Sequence, residues 1–320
     1  MSEIASGKAD GAGLSSGRLT HLGVLRFTGP DASSFLQGQL SNDMRRLSPG
    51  APLLAAYSSH QGRVLALLQL LQHPSGLLAL LPRELVESTL QRMRKFVLRA
   101  KVQIEDASDA LPVWGYHGRP VLDAAGLASA SIIPLVGATA VPGAPAVAGA
   151  DAASGAPAVA GHAASEKDAR FWVIGPAPDP HRAVPDGSVD WRLADIRAGR
   201  PQVYAATQEA FVAQMLNLDL LDGISFTKGC YTGQEIIART QHLGRIKRRL
   251  FRLRLPPGTW GIGQALRLTD GRHGRLTDCV DRDGHTEALA VLSVEAGAPT
   301  DDSPAAPVAA TELPLPYPLS

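Results

Sequence analysis

The chain has 320 residues and a mass of 33.6 kDa, room for about two packed units with tails. Hydrophobic residues make up 45% and charged residues 19%, which excludes a wholly disordered polyampholyte, and no apolar run nears the roughly 18 residues of a membrane span. Lys and Arg number 31 against 30 Asp and Glu, and a formal charge of +1 excludes a strongly basic coat, so any nucleic-acid footprint has to be local.

Residues 1–18 carry no apolar stretch of signal-peptide length and no Arg-rich amphipathic pattern, so they read as a disordered tail and the protein is expected in the cytoplasm. Leu22 to Phe27 reads as a strand, stopped by Gly29 and Pro30, and Asp31 suits the N-cap of a helix through Phe35 and Leu36. Val64 to Leu71 and Leu77 to Leu81 are apolar runs separated by His73, Pro74, Ser75 and Gly76, the punctuation of a hairpin. From Arg83 to Leu98 the spacing of Val86, Leu90, Met93 and Val97 predicts a helix with one apolar face, and Lys101 to Ile104 returns as a strand. Such alternation around hairpins predicts an α+β layer. Residues 19–244 are expected to form this domain, interrupted at 137–165 by a low-complexity insertion in which GAPAVAG occurs twice and 21 of 29 residues are Ala, Gly or Pro, too small and too broken to pack.

The stretch FTKGCYTGQEIIART, 226–240, carries the chemistry. Thr232 and Glu235 stand in the T-x-x-E relation of a capping box, which predicts a helix from Thr232. Cys230 then lies just outside a helix N-terminus and near Lys228, a setting that favours thiolate; the alternative is a small buried filler. Gly229 and Gly233 leave room for a ligand beside the backbone, and Glu235 and Arg239 are spaced to pair on one helix face.

Beyond Lys247 the strand candidates are short: Leu250 to Leu255, Ala265 to Leu268, Arg275 to Val280 and Ala288 to Val294, with PPG, DGRHG and DRDG between them. They predict a small antiparallel β-barrel domain over 245–295, with 296–320 a mostly disordered tail. Cys279 falls in one of these strands and reads as structural. The basic run Arg245, Lys247, Arg248 and Arg249 is either an RNA-contacting patch or a solvated linker into the barrel; no aromatic residue interleaves it. Two cysteines cannot make a disulfide framework, and His60, His73, His117, His242 and His273 lack metal-ligand spacing.

KGCYTGQE at 228–235, GPDASSFLQGQLSND at 29–43, WRLADIRAGRP at 191–201, LNLDLLDGISF at 216–226 and the terminal LPLPYPLS together resemble the YgfZ family, folate-binding proteins related to the T protein of the glycine cleavage system and implicated in iron-sulfur protein maturation. The resemblance implies a ring of three subdomains around a folate-sized cavity, the last a small β-barrel. It implies Cys230 as the working residue, with Lys228, Glu235 and Arg239 beside it, and Trp191, Gly229, Tyr231, Gly233 and Gln234 in contact with tetrahydrofolate or another folate. A second Trp of some family members is Leu22 here. Where T proteins carry an adjacent acidic pair, this chain has Ala66 and Leu67, and an aminomethyltransferase without its proton-handling carboxylate would lose roughly 10² to 10⁴ in rate. The expected role is an accessory protein for iron-sulfur cluster assembly or repair, a monomer whose partners are client enzymes or cluster carriers. Its support of tRNA modification would be indirect, without direct tRNA contact. A tetrahydrofolate-dependent one-carbon transferase and a tRNA-binding module are the alternatives.

Overall fold

The computed structural model describes residues 16–117, 131–135, 170–176, 185–243, 245–296 and 306–319. It shows why VLALLQLL is apolar without alternation: this run forms strand β4 (Val64–His73) of a sheet covered on both faces. The sheet runs β3 (Leu53–Ser58), β4, β5 (Gly76–Pro82), β2 (Leu22–Thr28), β6 (Gln103–Asp106), every pair antiparallel. The two-residue period of its strands sorts side chains between two cores. Leu25, Phe27, Leu70 and Leu81 join Phe35 and Leu36 of helix α1 (Ala32–Gln39) in one, while Val24, Leu71, Leu78 and Leu80 face Val113, Trp172 and Ile174 in the other.

Those last three residues belong to a second antiparallel sheet in the order β1 (Ser16–Arg18), β7 (Val113–His117), β9 (Arg170–Ile174), β8 (Ser131–Leu135). A third follows β11 (Ala265–Arg267), β12 (His273–Arg282), β13 (His285–Ser293), β10 (Arg248–Leu255), β14 (Thr311–Leu313). One of its faces gives Leu250, Leu289 and Val291 to the first core, and the other packs Phe251, Leu253, Ala290 and Leu292 into a third cluster. The architecture is mixed helix and antiparallel sheet, and among the described residues no helix is long and apolar enough to cross a membrane.

The 83–98 helix is shorter than its periodicity suggests. A 3₁₀ turn at Arg83–Leu85 leads into α2 (Val86–Arg94), which buries Val86, Leu90 and Met93; Val97 reaches the first core through the tight turns that follow. Strand β6 starts two residues later than expected because Lys101 is held elsewhere: the Asp31 carboxylate, expected to cap α1, accepts the Lys101 N–H at 2.7 Å and caps nothing. Both expected tails contain structure. Residues 16–18 pair with β7, and 311–313 with β10, after which Tyr317 is buried and donates its hydroxyl to the Gly199 carbonyl at 2.6 Å. The strand absorbs the free edge of β10, which the Ala- and Pro-rich composition before it conceals. The insertion at 137–165 lies outside the described residues.

Candidate functional site

The Cys230 loop is built on the C-terminal end of α1. A helix leaves its last carbonyls without partners, and those of α1 and the chain beyond it find one in a side chain far along the sequence. Lys228, 5% exposed, donates to the carbonyls of Gln37 at 2.6 Å, Leu40 at 2.7 Å and Asn42 at 2.8 Å, and its ammonium lies 4.9 Å from the centre of the Tyr231 ring. Burial pulls its pKa down to about 8, so it is charged at neutral pH and gives all three protons to these carbonyls. The segment receiving it is fixed in turn. Asn42 Nδ2 donates to the Leu54 and Asp222 carbonyls, Ser41 Oγ donates to Gly223 O, and Ser225 N–H donates to Ser41 O. Hydrogen bonds from Arg45 hold the Asp43 carboxyl far below the usual carboxylate range.

With Lys228 anchored inward, Cys230 stands exposed, and a Cβ on the neighbouring Gly229 would meet nothing within 4 Å. Phe226 at the start of the loop is partly exposed, whereas Tyr231 at its end is buried and burial pushes its phenol up to about 12. The capping box expected at Thr232 and Glu235 does not form. Gly233 has φ +81°, outside the helical region, and a Cβ there would come within 2.5 Å of the Ser59 carbonyl; helix α4 (Gln234–Leu243) therefore starts after it. The Gln234 side chain reaches back to accept the Tyr231 N–H at 3.3 Å. Glu235 and Arg239 are exposed and unpaired with one another.

Trp191 lies elsewhere, on α3 (Ser188–Arg197), 2% exposed in the second core. Its ring centroid is 6.2 Å from that of Trp172 and 5.7 Å from that of His117, and the Arg170 guanidinium sits 4.8 Å over it. Leu22 packs against the same cluster. The structure thus gathers Lys228, Gly229, Cys230, Tyr231, Gly233 and Gln234 in one loop and places Trp191 in a different core. Ala66 and Leu67 are buried in β4. The basic run is divided by burial: Arg249 is inside, with Nη1 and Nη2 at 2.7 and 2.9 Å from the Asp219 carboxylate, Arg245 pairs with Glu295, and Lys247 is exposed. Cys279 is partly buried; its Sγ lies 3.6 Å from the Trp260 carbonyl, and burial pushes the thiol up to about 11.

Two features escape the sequence. One is the receiving set Gln37, Leu40 and Asn42, whose contribution is backbone carbonyl and leaves no side-chain signature. The other is the group of half-buried Arg192 with buried Tyr204 and Asp278, in which Arg192 and the Tyr204 hydroxyl both donate to Asp278, beside a 620 Å³ cavity that His21, Arg83, Glu84 and Ile262 also line. Its members are 86 residues apart at the extreme, so no local pattern joins them.

No family model matches the chain. In its fold it is similar to the glycine cleavage system aminomethyltransferase T from Bartonella henselae, with a TM-score of 0.51 and 12% identity over 87% of this chain and 78% of that one. In sequence it is 31% identical to the tRNA-modifying protein YgfZ of Colwellia psychrerythraea, over 73% of this chain and 69% of that protein, and 30% identical to that of Yersinia pseudotuberculosis, over 77% and 75%. The fold class is therefore that of the aminomethyltransferase T proteins. Within it, the chain belongs to the YgfZ family of tRNA-modifying proteins.

Proposed function

We propose that the protein is a folate-binding accessory factor for assembly or repair of iron-sulfur clusters in client enzymes, acting through Cys230 and supporting tRNA modification through those clients. The observation that carries this reading is the clamp: one buried ammonium on three carbonyls holds a short loop so that its only thiol faces solvent, with glycine beside it. Family membership and the aminomethyltransferase-like fold support it. Aminomethyl transfer is disfavoured because the strand positions where T proteins carry acids hold buried Ala66 and Leu67.

Folate enters through the likeness of Trp191 to the family's folate-site Trp. One local feature fits a pterin: the indole N–H of Trp172, next to Trp191, is buried and has no acceptor among the described residues, and a pterin carbonyl or ring nitrogen would provide one. One face of Trp191 is taken by Arg170, so stacking there requires the guanidinium to move aside. The clients are iron-sulfur enzymes or cluster carriers, the protein works as a monomer in the cytoplasm, and it does not contact tRNA directly. Binding of tetrahydrofolate, followed by tryptophan fluorescence in the wild type and in Trp191→Ala, set against binding of labelled tRNA, tests the reading. Saturable quenching in the wild type only, with no tRNA complex, is expected; tRNA binding without folate binding would favour the RNA module instead.

A further inference from the structure

Ten residues from Arg92 to Lys101 hold five cations, Arg92, Arg94, Lys95, Arg99 and Lys101, and no Asp or Glu occurs between Glu87 and Glu105. The same loop turns two large apolar side chains outward, Phe96 at 50% and Leu98 at 85% exposure. Arg92 lies 3.6 Å from Glu209, but among the described residues no carboxylate pairs with Arg94, Lys95, Arg99 or Lys101. The loop is held in place at both ends. Val97 packs on the first core, Asp31 exchanges backbone and side-chain hydrogen bonds with Lys101, and at Gly29, φ +103°, any Cβ would overlap the Lys101 carbonyl.

Beside it, along edge strand β6, runs a shallow 470 Å³ groove lined by Arg94, Val97, Val102, Gln103, Ile104 and Glu105, more polar than apolar. Arg94 donates to the Ile104 carbonyl at 2.8 Å, so part of this strand edge is already satisfied and recognition falls to side chains.

We infer that this face docks an acidic protein segment that carries a large apolar side chain. The segment's carboxylates meet Arg94, Lys95, Arg99 and Lys101, none of which pairs with a carboxylate among the described residues, and its apolar side chain packs on Phe96 and Leu98, an apolar centre with a charged rim. A single exposed leucine is ordinary; two apolar side chains on one pinned loop, ringed by cations that pair with no carboxylate among the described residues, form a recognition surface. RNA would satisfy the cations but offers no aliphatic group for Leu98. The inference stands apart from the reading of the Cys230 loop.

The test uses the full-length protein at near-physiological salt and two synthetic peptides, one alternating Glu and Leu and one of Glu alone. The alternating peptide is expected to bind at least about tenfold more tightly, and Phe96→Ser with Leu98→Ser to remove about tenfold or more of that affinity. Both side chains are exposed, so the melting temperature of the double variant should match the wild type. Equal binding of the two peptides, an unaffected double variant, or a single-stranded RNA or phosphatidylserine vesicle bound by this loop as tightly as the alternating peptide would overturn the proposal.

Discussion

The two thiols differ in their exposure to reagents. Cys230 is exposed, whereas Cys279 is half-buried and its pKa is pushed to about 11 by burial. One equivalent of iodoacetamide at neutral pH should therefore label Cys230 almost alone in the native protein, and peptide mass spectrometry that finds Cys279 labelled equally fast would contradict the geometry. Lys228 is the residue on which that exposure rests. Lys228→Met leaves three carbonyls without their donor and should cost about 1 to 3 kcal/mol in urea unfolding while making the 226–231 loop more sensitive to protease. Stability within error of the wild type would mean the clamp holds nothing. The cysteine, its glycines and the lysine are legible in the sequence as a group, because KGCYTGQE is local. The direction in which Lys228 points is not: the T-x-x-E pattern suggests a helix whose dipole and lysine both bear on the thiol, whereas Gly233 breaks the helical path and the lysine turns to carbonyls some 190 residues away in sequence.

At the level of elements, four of the five strands of the C-terminal sheet and the β4–β5 hairpin follow from apolar runs and Asp-Gly or Pro-Ser-Gly punctuation, which are local signals. Elements whose ends are fixed by distant partners are read less well. Strand β6 is displaced by the bond between Asp31 and Lys101, and β14 exists only because β10 offers it an edge. Burial also changes the meaning of the basic run, since Arg249 is an internal strut between β10 and the segment that leads to the cysteine loop. Arg249→Met would strand the Asp219 carboxylate, 9% exposed, and should destabilise the protein by about 3 to 5 kcal/mol, with much of the loss recovered when Asp219→Leu is added. Denaturant midpoints of the two single variants and the double variant measure this coupling, and additive losses would contradict it.

On the scale of the whole molecule, the three sheets meet at buried polar groups as well as at apolar cores, and those groups couple stability to pH. His21, at the entry to β2, has its pKa lowered by burial to about 4, and its Nδ1 has no partner among the described residues. The folded pKa lies below the unfolded value, so the unfolded chain binds more protons between about 4 and 6.5. The stability contributed by neutral His21 is complete above pH 6.5 and is lost as the pH falls through that window. His21→Phe should flatten the decline of unfolding free energy over this range, and an unchanged slope would place the acid sensitivity elsewhere. The central claim, that this architecture exists to present one thiol, is met most directly by complementation. In cells lacking the protein, Cys230→Ser should fold, bind tetrahydrofolate as the wild type does and fail to restore the activities of several iron-sulfur enzymes. Full restoration by the Ser variant would contradict the account.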